Sequence, residues 1–161
     1  QNAKEKFLKS QKKKTHCSEV YLQQSEYYLL KNKKKLAKSS LYNCIKMNPN
    51  QAKAFRNLGI LLIDEKQLDN ARLNLEKSID IDYSDSKSHF NLAKIMVIMK
   101  DFKDAEQHFL SALDINPKFI DCMIEMALLQ LTIKNEWKAK IYYLKAQKID
   151  ASITNSILDK I

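Results

Sequence analysis

The sequence repeats itself every 34 residues, and this period constrains the possible fold more than any other feature. Ala37, Ala71, Ala105 and Ala139 fall in register. Four residues on stand Leu41, Leu75, Phe109 and Tyr143, and three further on Cys44, Ser78, Ala112 and Ala146. A second set lies upstream in each unit: Tyr21, Phe55, His89 and Met123, then Leu58, Leu92 and Met126, then Gly59, Ala93 and Ala127. Asn48-Pro49 and Asn116-Pro117 close two of the units. Spacings of three and four put these residues on one helical face, small where two helices must approach closely and large beside that point. The pattern predicts a stack of helical hairpins.

Composition agrees with an all-α chain. One Gly and two Pro in 161 residues exclude collagen and any β fold built on tight glycine turns, and a hydrophobic content of 45% excludes a wholly disordered chain. That content is enough to bury a core as one domain over 1–161. No apolar run approaches the roughly 18 to 20 residues of a membrane span, and no apolar stretch near Gln1 reads as a signal peptide. The net charge of +9 is local: residues 1–35 hold ten Lys against three Glu, and the remainder 18 Lys and Arg against 16 Asp and Glu. Cys17, Cys44 and Cys122 are odd in number and far apart, which argues against a disulfide framework or a Cys-rich zinc site. They fit a reducing compartment, so the cytoplasm is the expected location, with the periplasm as the alternative.

On these residues the sequence resembles the tetratricopeptide repeat family, whose 34-residue unit carries a large residue, Leu-Gly or Leu-Ala, then Ala, a large residue, Ala and a closing Pro. Leu58-Gly59 with Ala71, and Leu92-Ala93 with Ala105, Phe109, Ala112 and Pro117, are the clearest copies. The resemblance implies a right-handed α-solenoid with repeats at 18–51, 52–85, 86–119 and 120–153. The first copy departs from the pattern, with Gln24-Ser25 in place of Leu-Gly. Between paired helices the family often has Gly, where this chain has Asn32, Lys66, Lys100 and Lys134. A left-handed cap there suits Asn and strains Lys modestly. Residues 1–14 align with 69–82, placing Ala3 over Ala71, Phe7 over Leu75 and Ser10 over Ser78, so 1–17 is expected to be the second helix of a partial repeat. At the other end 154–161 is expected to begin a further first helix or to form a capping helix. The chain thus reads as a segment of a longer array.

Catalytic, metal and cofactor sites are not expected. One Gly cannot build a phosphate loop, and no local signature brings a Ser or Cys nucleophile to a His and an orienting group. His89 occupies a packed position of the repeat, and Cys44 a small-residue position, so both read as structural. His16 and Cys17 are adjacent, about 100° apart on a helix, which spoils joint metal ligation. Lys12-Lys13-Lys14 and Lys33-Lys34-Lys35 have no interleaved aromatics for base stacking and read as solvated surface, which argues against nucleic acid or membrane partners.

The family resemblance places function in a concave groove lined by the first helix of each repeat, at its second, fifth, sixth, ninth and twelfth positions. Here those are Lys53, Arg56, Asn57, Ile60 and Ile63, then Lys87, Phe90, Asn91, Lys94 and Val97, then Asp121, Ile124, Glu125, Leu128 and Leu131. Of that set, the candidate partner-binding residues are Lys53, Arg56, Asn57, Ile60, Lys87, Phe90, Asn91, Lys94, Val97, Ile124 and Leu128. Their gradient suits a peptide or amphipathic helix with acidic residues at one end. The basic clamp by which some family members hold acidic chaperone tails does not fit, because Leu22, Glu26 and Asn91 stand where it needs other residues. The expected function is a non-catalytic protein-interaction scaffold. A bacterial envelope assembly factor for pilus or secretin subunits is one alternative, and a helical-repeat RNA-binding module is another, disfavoured because the groove positions carry no repeated polar code.

Overall fold

The computed structural model describes residues 2–153 and contains, among them, eight helices and no strand. The expected helix at 154–161 lies outside these residues. So do the side chains of 2–11, on which the register of Ala3, Phe7 and Ser10 depends. The helices are α1 (Asn2–Leu30), α2 (Lys34–Met47), α3 (Ala52–Asp64) and α4 (Leu68–Ile81), then α5 (Ser86–Ile98), α6 (Phe102–Ile115), α7 (Ile120–Thr132) and α8 (Glu136–Ile149). They pair as four successive hairpins, the all-α solenoid class that the sequence period implies. The chain divides into two compact units, Gln1–Asp82 and Tyr83–Ile161. Within the first, α2 packs on α3; within the second, α7 packs on both α5 and α6.

Every hairpin is closed in the same way. Asn32, Lys66, Lys100 and Lys134 have φ of 54°, 60°, 63° and 61°, the left-handed conformation expected of them. The next residue donates its backbone N–H back to a carbonyl five residues earlier: Lys33 to Tyr28, Gln67 to Leu62, Asp101 to Met96 and Asn135 to Gln130, at 2.8–2.9 Å. This closure satisfies carbonyls that the helix end would otherwise leave unpaired. At the other end of each hairpin Asn48, Asp82, Asn116 and Asp150 sit just past a helix C-terminus with φ between −127° and −139°. The side chains of Asn48, Asn116 and Asp150 each accept from the backbone N–H two residues on. A short acceptor that caps its own turn ends the helix there.

That mechanism also accounts for the departure at the N-terminus. No turn separates 1–17 from the repeat beginning at 18, and α1 runs unbroken for 29 residues. In the 34-residue register Lys14-Thr15 stands where the other hairpins have Asn48-Pro49, Asp82-Tyr83, Asn116-Pro117 and Asp150-Ala151. Lys is a helix former with no acceptor, and no proline follows to stop the ladder.

The core follows the period. Ala37, Ala71, Ala105 and Ala139 are fully buried, as are Leu41, Leu75, Phe109 and Tyr143 and the small residues Cys44, Ser78, Ala112 and Ala146. A Cβ added at Gly59 would stand 2.8 Å from Leu75 Cγ and 3.2 Å from the Ala71 carbonyl oxygen, so α3 crosses α4 at a distance only glycine permits. Exposed ion pairs join neighbouring hairpins inside each unit: Lys34 to Asp64 at 2.7 Å and Lys38 to Glu65 in the first, Lys138 to Glu106 at 3.2 Å in the second. Each is worth at most about 1 kcal/mol, so burial along the shared rows, and not these pairs, holds the hairpins together.

Candidate partner-binding stripe

The first helices of the hairpins divide into two faces. In α3 the buried positions are Ala52, Ala54, Leu58, Gly59, Leu61 and Leu62; α5 and α7 bury the counterparts of the last five and, in addition, His89 and Met123. The positions between them make a stripe that is nowhere fully buried: Lys53 and Ile60 are exposed and Arg56, Asn57 and Ile63 half-buried on α3. On α5, Lys87 is exposed, with Phe90, Asn91, Lys94 and Val97 half-buried; on α7, Ile124 and Glu125 are half-buried and Leu128 is exposed. The helical period alone produces this division, because residues three and four apart share a face.

In the second unit the stripe has a defined centre. The Phe90 ring lies 4.8 Å from the ring of Phe119 and 6.0 Å from that of Phe109, centroid to centroid. Lys94 Nζ stands 5.4 Å from the Phe90 ring centre and 3.8 Å from Glu125 Oε1. Phe90, Lys94, Asp121, Ile124 and Glu125 together line a cavity of about 220 Å³. A cation held over an aromatic face and beside a half-exposed carboxylate is a polarised site, able to accept an apolar side chain and an anionic group side by side. Asn91 is less available, since its Nδ2 donates to the Lys87 carbonyl oxygen at 2.7 Å. Phe119 and Phe109, which fix the Phe90 ring, were not among the sequence candidates.

In the first unit Asn57 lines a cavity of about 440 Å³ with Glu26, Leu29 and Leu30 of α1. The first-helix stripe of that unit therefore begins on α1, from which the sequence reading took no site residue. Leu22, at the fifth position of its repeat, is buried in the core and offers nothing to a ligand.

Cys44 and Cys122 are buried. Burial pushes the Cys44 thiol up to about 11 and the Cys122 thiol up to about 12, with Glu19 and Glu125 respectively adding to the effect. Both therefore stay protonated at neutral pH. No group of three His, Cys, Asp or Glu among these residues could hold a metal ion, and no helix is long and apolar enough to cross a membrane. His89 is buried, its Nε2–H donates to the Tyr83 carbonyl oxygen at 3.1 Å, and its Nδ1 faces His108 Nδ1 at 3.2 Å.

With hairpins, caps and stripe defined, comparison with known proteins gives the family. The tetratricopeptide repeat profile matches three consecutive stretches, 18–51, 52–85 and 86–119. The chain belongs to the tetratricopeptide repeat family. Its fourth hairpin, α7 and α8, has the same turn, cap and buried row outside the matched stretch. No curated protein sequence matches. Among solved structures the chain is similar to Pseudomonas aeruginosa PilF, with TM-score 0.81 and 20% identity over 91% of this chain and 67% of that one. It is similar to YrrB, described as a repeat protein with an unusual peptide-binding site, with TM-score 0.74 and 18% identity over 89% of this chain and 74% of that one. The first tetratricopeptide domain of Spaghetti (RPAP3), bound to an HSP90 peptide, aligns at TM-score 0.71 and 12% identity over 74% of this chain and 95% of that one. At these identities the likeness is one of fold. The fold is generally a non-catalytic interaction module, and the repeats with their peptide-binding neighbours support a protein-interaction scaffold.

Proposed function

We propose that this chain is a non-catalytic scaffold that holds a segment of a partner protein on the outward stripe of its first helices, with the principal contact in the second unit. The observation that carries this reading is the cluster of Phe90, Lys94, Ile124 and Glu125 around one small cavity. A bulky apolar side chain of the partner fills that cavity against Phe90 and Ile124. A partner carboxylate beside it takes Lys94 from Glu125, an exchange that costs little because a half-exposed pair at 3.8 Å is weak. Lys87, Asn91, Val97 and Leu128 extend the contact along α5 and α7. Lys53, Arg56, Asn57 and Ile60 offer the first unit a cationic stretch of its own, which suits acidic residues elsewhere in the partner. Three unpaired cysteines, two of them buried as thiols, support a reducing compartment such as the cytoplasm.

The test uses the purified chain as bait. A protein retained by the wild-type chain and lost from a folded Phe90→Ala/Ile124→Ala variant supports the stripe. Equal retention by both moves the contact elsewhere on the molecule.

A further inference from the structure

An apolar groove of the second unit lies away from the stripe, between the second helices α6 and α8. Leu110 and Leu113 of α6 form one wall and Tyr142 and Ile149 of α8 the other, over Met123 of α7, and the cavity measures about 500 Å³. Pro117 closes its end. Lys145 and Lys148 stand exposed on the α8 rim, with Lys145 Nζ 5.2 Å from the Tyr142 ring centre; Asp114 is the acidic group of the opposite rim.

The preceding hairpin shows what such a place takes. In the 34-residue register Pro117, Met123 and Tyr142 correspond to Tyr83, His89 and His108. There the chain supplies its own rings: Tyr83 meets His89 edge-on at 4.8 Å, and His89 lies 5.5 Å from His108. The backbone leading to both positions is alike, with Asp82 at φ −139°, ψ 91° and Asn116 at φ −127°, ψ 88°. Exchange of tyrosine for proline at one position therefore removes the ring that lies against the sixth residue on, and an open groove remains. The α8 rim adds two cations where the corresponding residues of α6 are Ser111 and Asp114.

We infer that the α6–α8 groove is a second binding site, which takes an aromatic side chain of a partner protein flanked by carboxylates. The ring enters over Met123 as the largely exposed Tyr83 ring lies against His89 one repeat earlier, and the carboxylates meet Lys145 and Lys148. The site is independent of the first-helix stripe and does not use Phe90.

The probe is a fluorescein-labelled nonapeptide with one central phenylalanine among aspartates, titrated by anisotropy into the intact chain. The wild type is expected to bind it, and Pro117→Tyr, which gives the chain its own ring as at Tyr83, is expected to weaken binding by about tenfold or more. Lys145→Glu/Lys148→Glu on the exposed rim is expected to do the same, and it decides the matter should Pro117→Tyr fail to fold by circular dichroism. Phe90→Ala is expected to leave this affinity unchanged, so failure here is separable from failure of the stripe. Four results would overturn the proposal: no binding; equal binding of the peptide with alanine for phenylalanine, which is charge attraction alone; loss with Phe90→Ala while Pro117→Tyr still binds; or concentration-dependent mass by light scattering that Pro117→Tyr abolishes, which makes a second copy the occupant.

Discussion

The second helices and the outward stripe of the first helices obey opposite rules. Along α4, α6 and α8 the inner rows Ala71-Leu75-Ser78, Ala105-Phe109-Ala112 and Ala139-Tyr143-Ala146 keep one pattern of small, large and small, and every member is fully buried. Along α3, α5 and α7 one stripe position reads Arg56, Phe90 and Ile124, the next Asn57, Asn91 and Glu125, and a third Ile60, Lys94 and Leu128. All nine are at least partly open to solvent. Burial fixes side-chain volume wherever two helices cross, so the rows repeat. Solvent imposes no such limit, so the stripe is free to differ from copy to copy, and differences of that kind are what a particular partner can read.

Substitutions that hit one rule and spare the other sharpen this contrast. The largest effect is expected in a row: Ala105→Leu forces three extra heavy atoms into the α5–α6 crossing and should cost about 1–3 kcal/mol, read as a lowered denaturation midpoint. An unchanged midpoint would break the register at that residue. On the stripe, Phe90→Ala should weaken partner binding by more than about 1 kcal/mol. Because the ring also packs on Phe119 and Phe109, the variant should melt somewhat earlier, so its affinity has to be measured well below that melt. Arg56→Glu should mainly slow association with an acidic partner and reverse the salt dependence of its rate, read by stopped-flow mixing at two ionic strengths.

Smaller effects belong to positions that serve the fold with the wrong residue. Lys66, Lys100 and Lys134 hold left-handed backbone with a side chain, so each Lys→Gly change should raise stability by about 0.5–1 kcal/mol despite the flexibility glycine adds to the unfolded chain. A loss at all three would mean that the lysine side chains contribute more than their strain. His89 is a buried residue of α5 with a titratable ring. Burial holds its imidazole below the ordinary 6.5, against the opposing pull of the Tyr83 carbonyl and of Asp85. Its contribution to stability is then fully present above about pH 6.5 and falls as the unfolded chain takes up a proton below it. The melting temperature should therefore drop on acidification from pH 7 to 5, less steeply in His89→Phe.

Much of this was legible in one sequence because a period supplies its own alignment. The left-handed lysines were visible from their register, as were the buried rows. The continuity of α1 was also written there, in Lys14-Thr15 where other units carry an Asx and often a proline, but an end rule is recognised only once the caps at Asn48, Asn116 and Asp150 are seen to act. Contacts across hairpins were harder. Lys94 meets Glu125 at a separation of 31, three short of the period, so the pair belongs to neighbouring first helices and to no single repeat. The support of Phe90 by Phe119 comes from a connecting segment whose ring direction no periodicity fixes. The α6–α8 groove is an absence, a ring present at Tyr83 and missing at Pro117, and becomes visible only when its walls are in place.

Whether the first-helix stripe of the second unit carries recognition is decided by hydrogen exchange on the intact chain, with and without a partner that the wild-type bait retains and the Phe90→Ala/Ile124→Ala variant loses. Exchange is expected to slow in Ser86–Ile98 and Ile120–Thr132, around Phe90, Lys94 and Ile124, with Phe102–Ile115 and Glu136–Ile149 unchanged. Protection confined to those second helices, or to the basic stretch Lys12–Lys14 of α1, would contradict it.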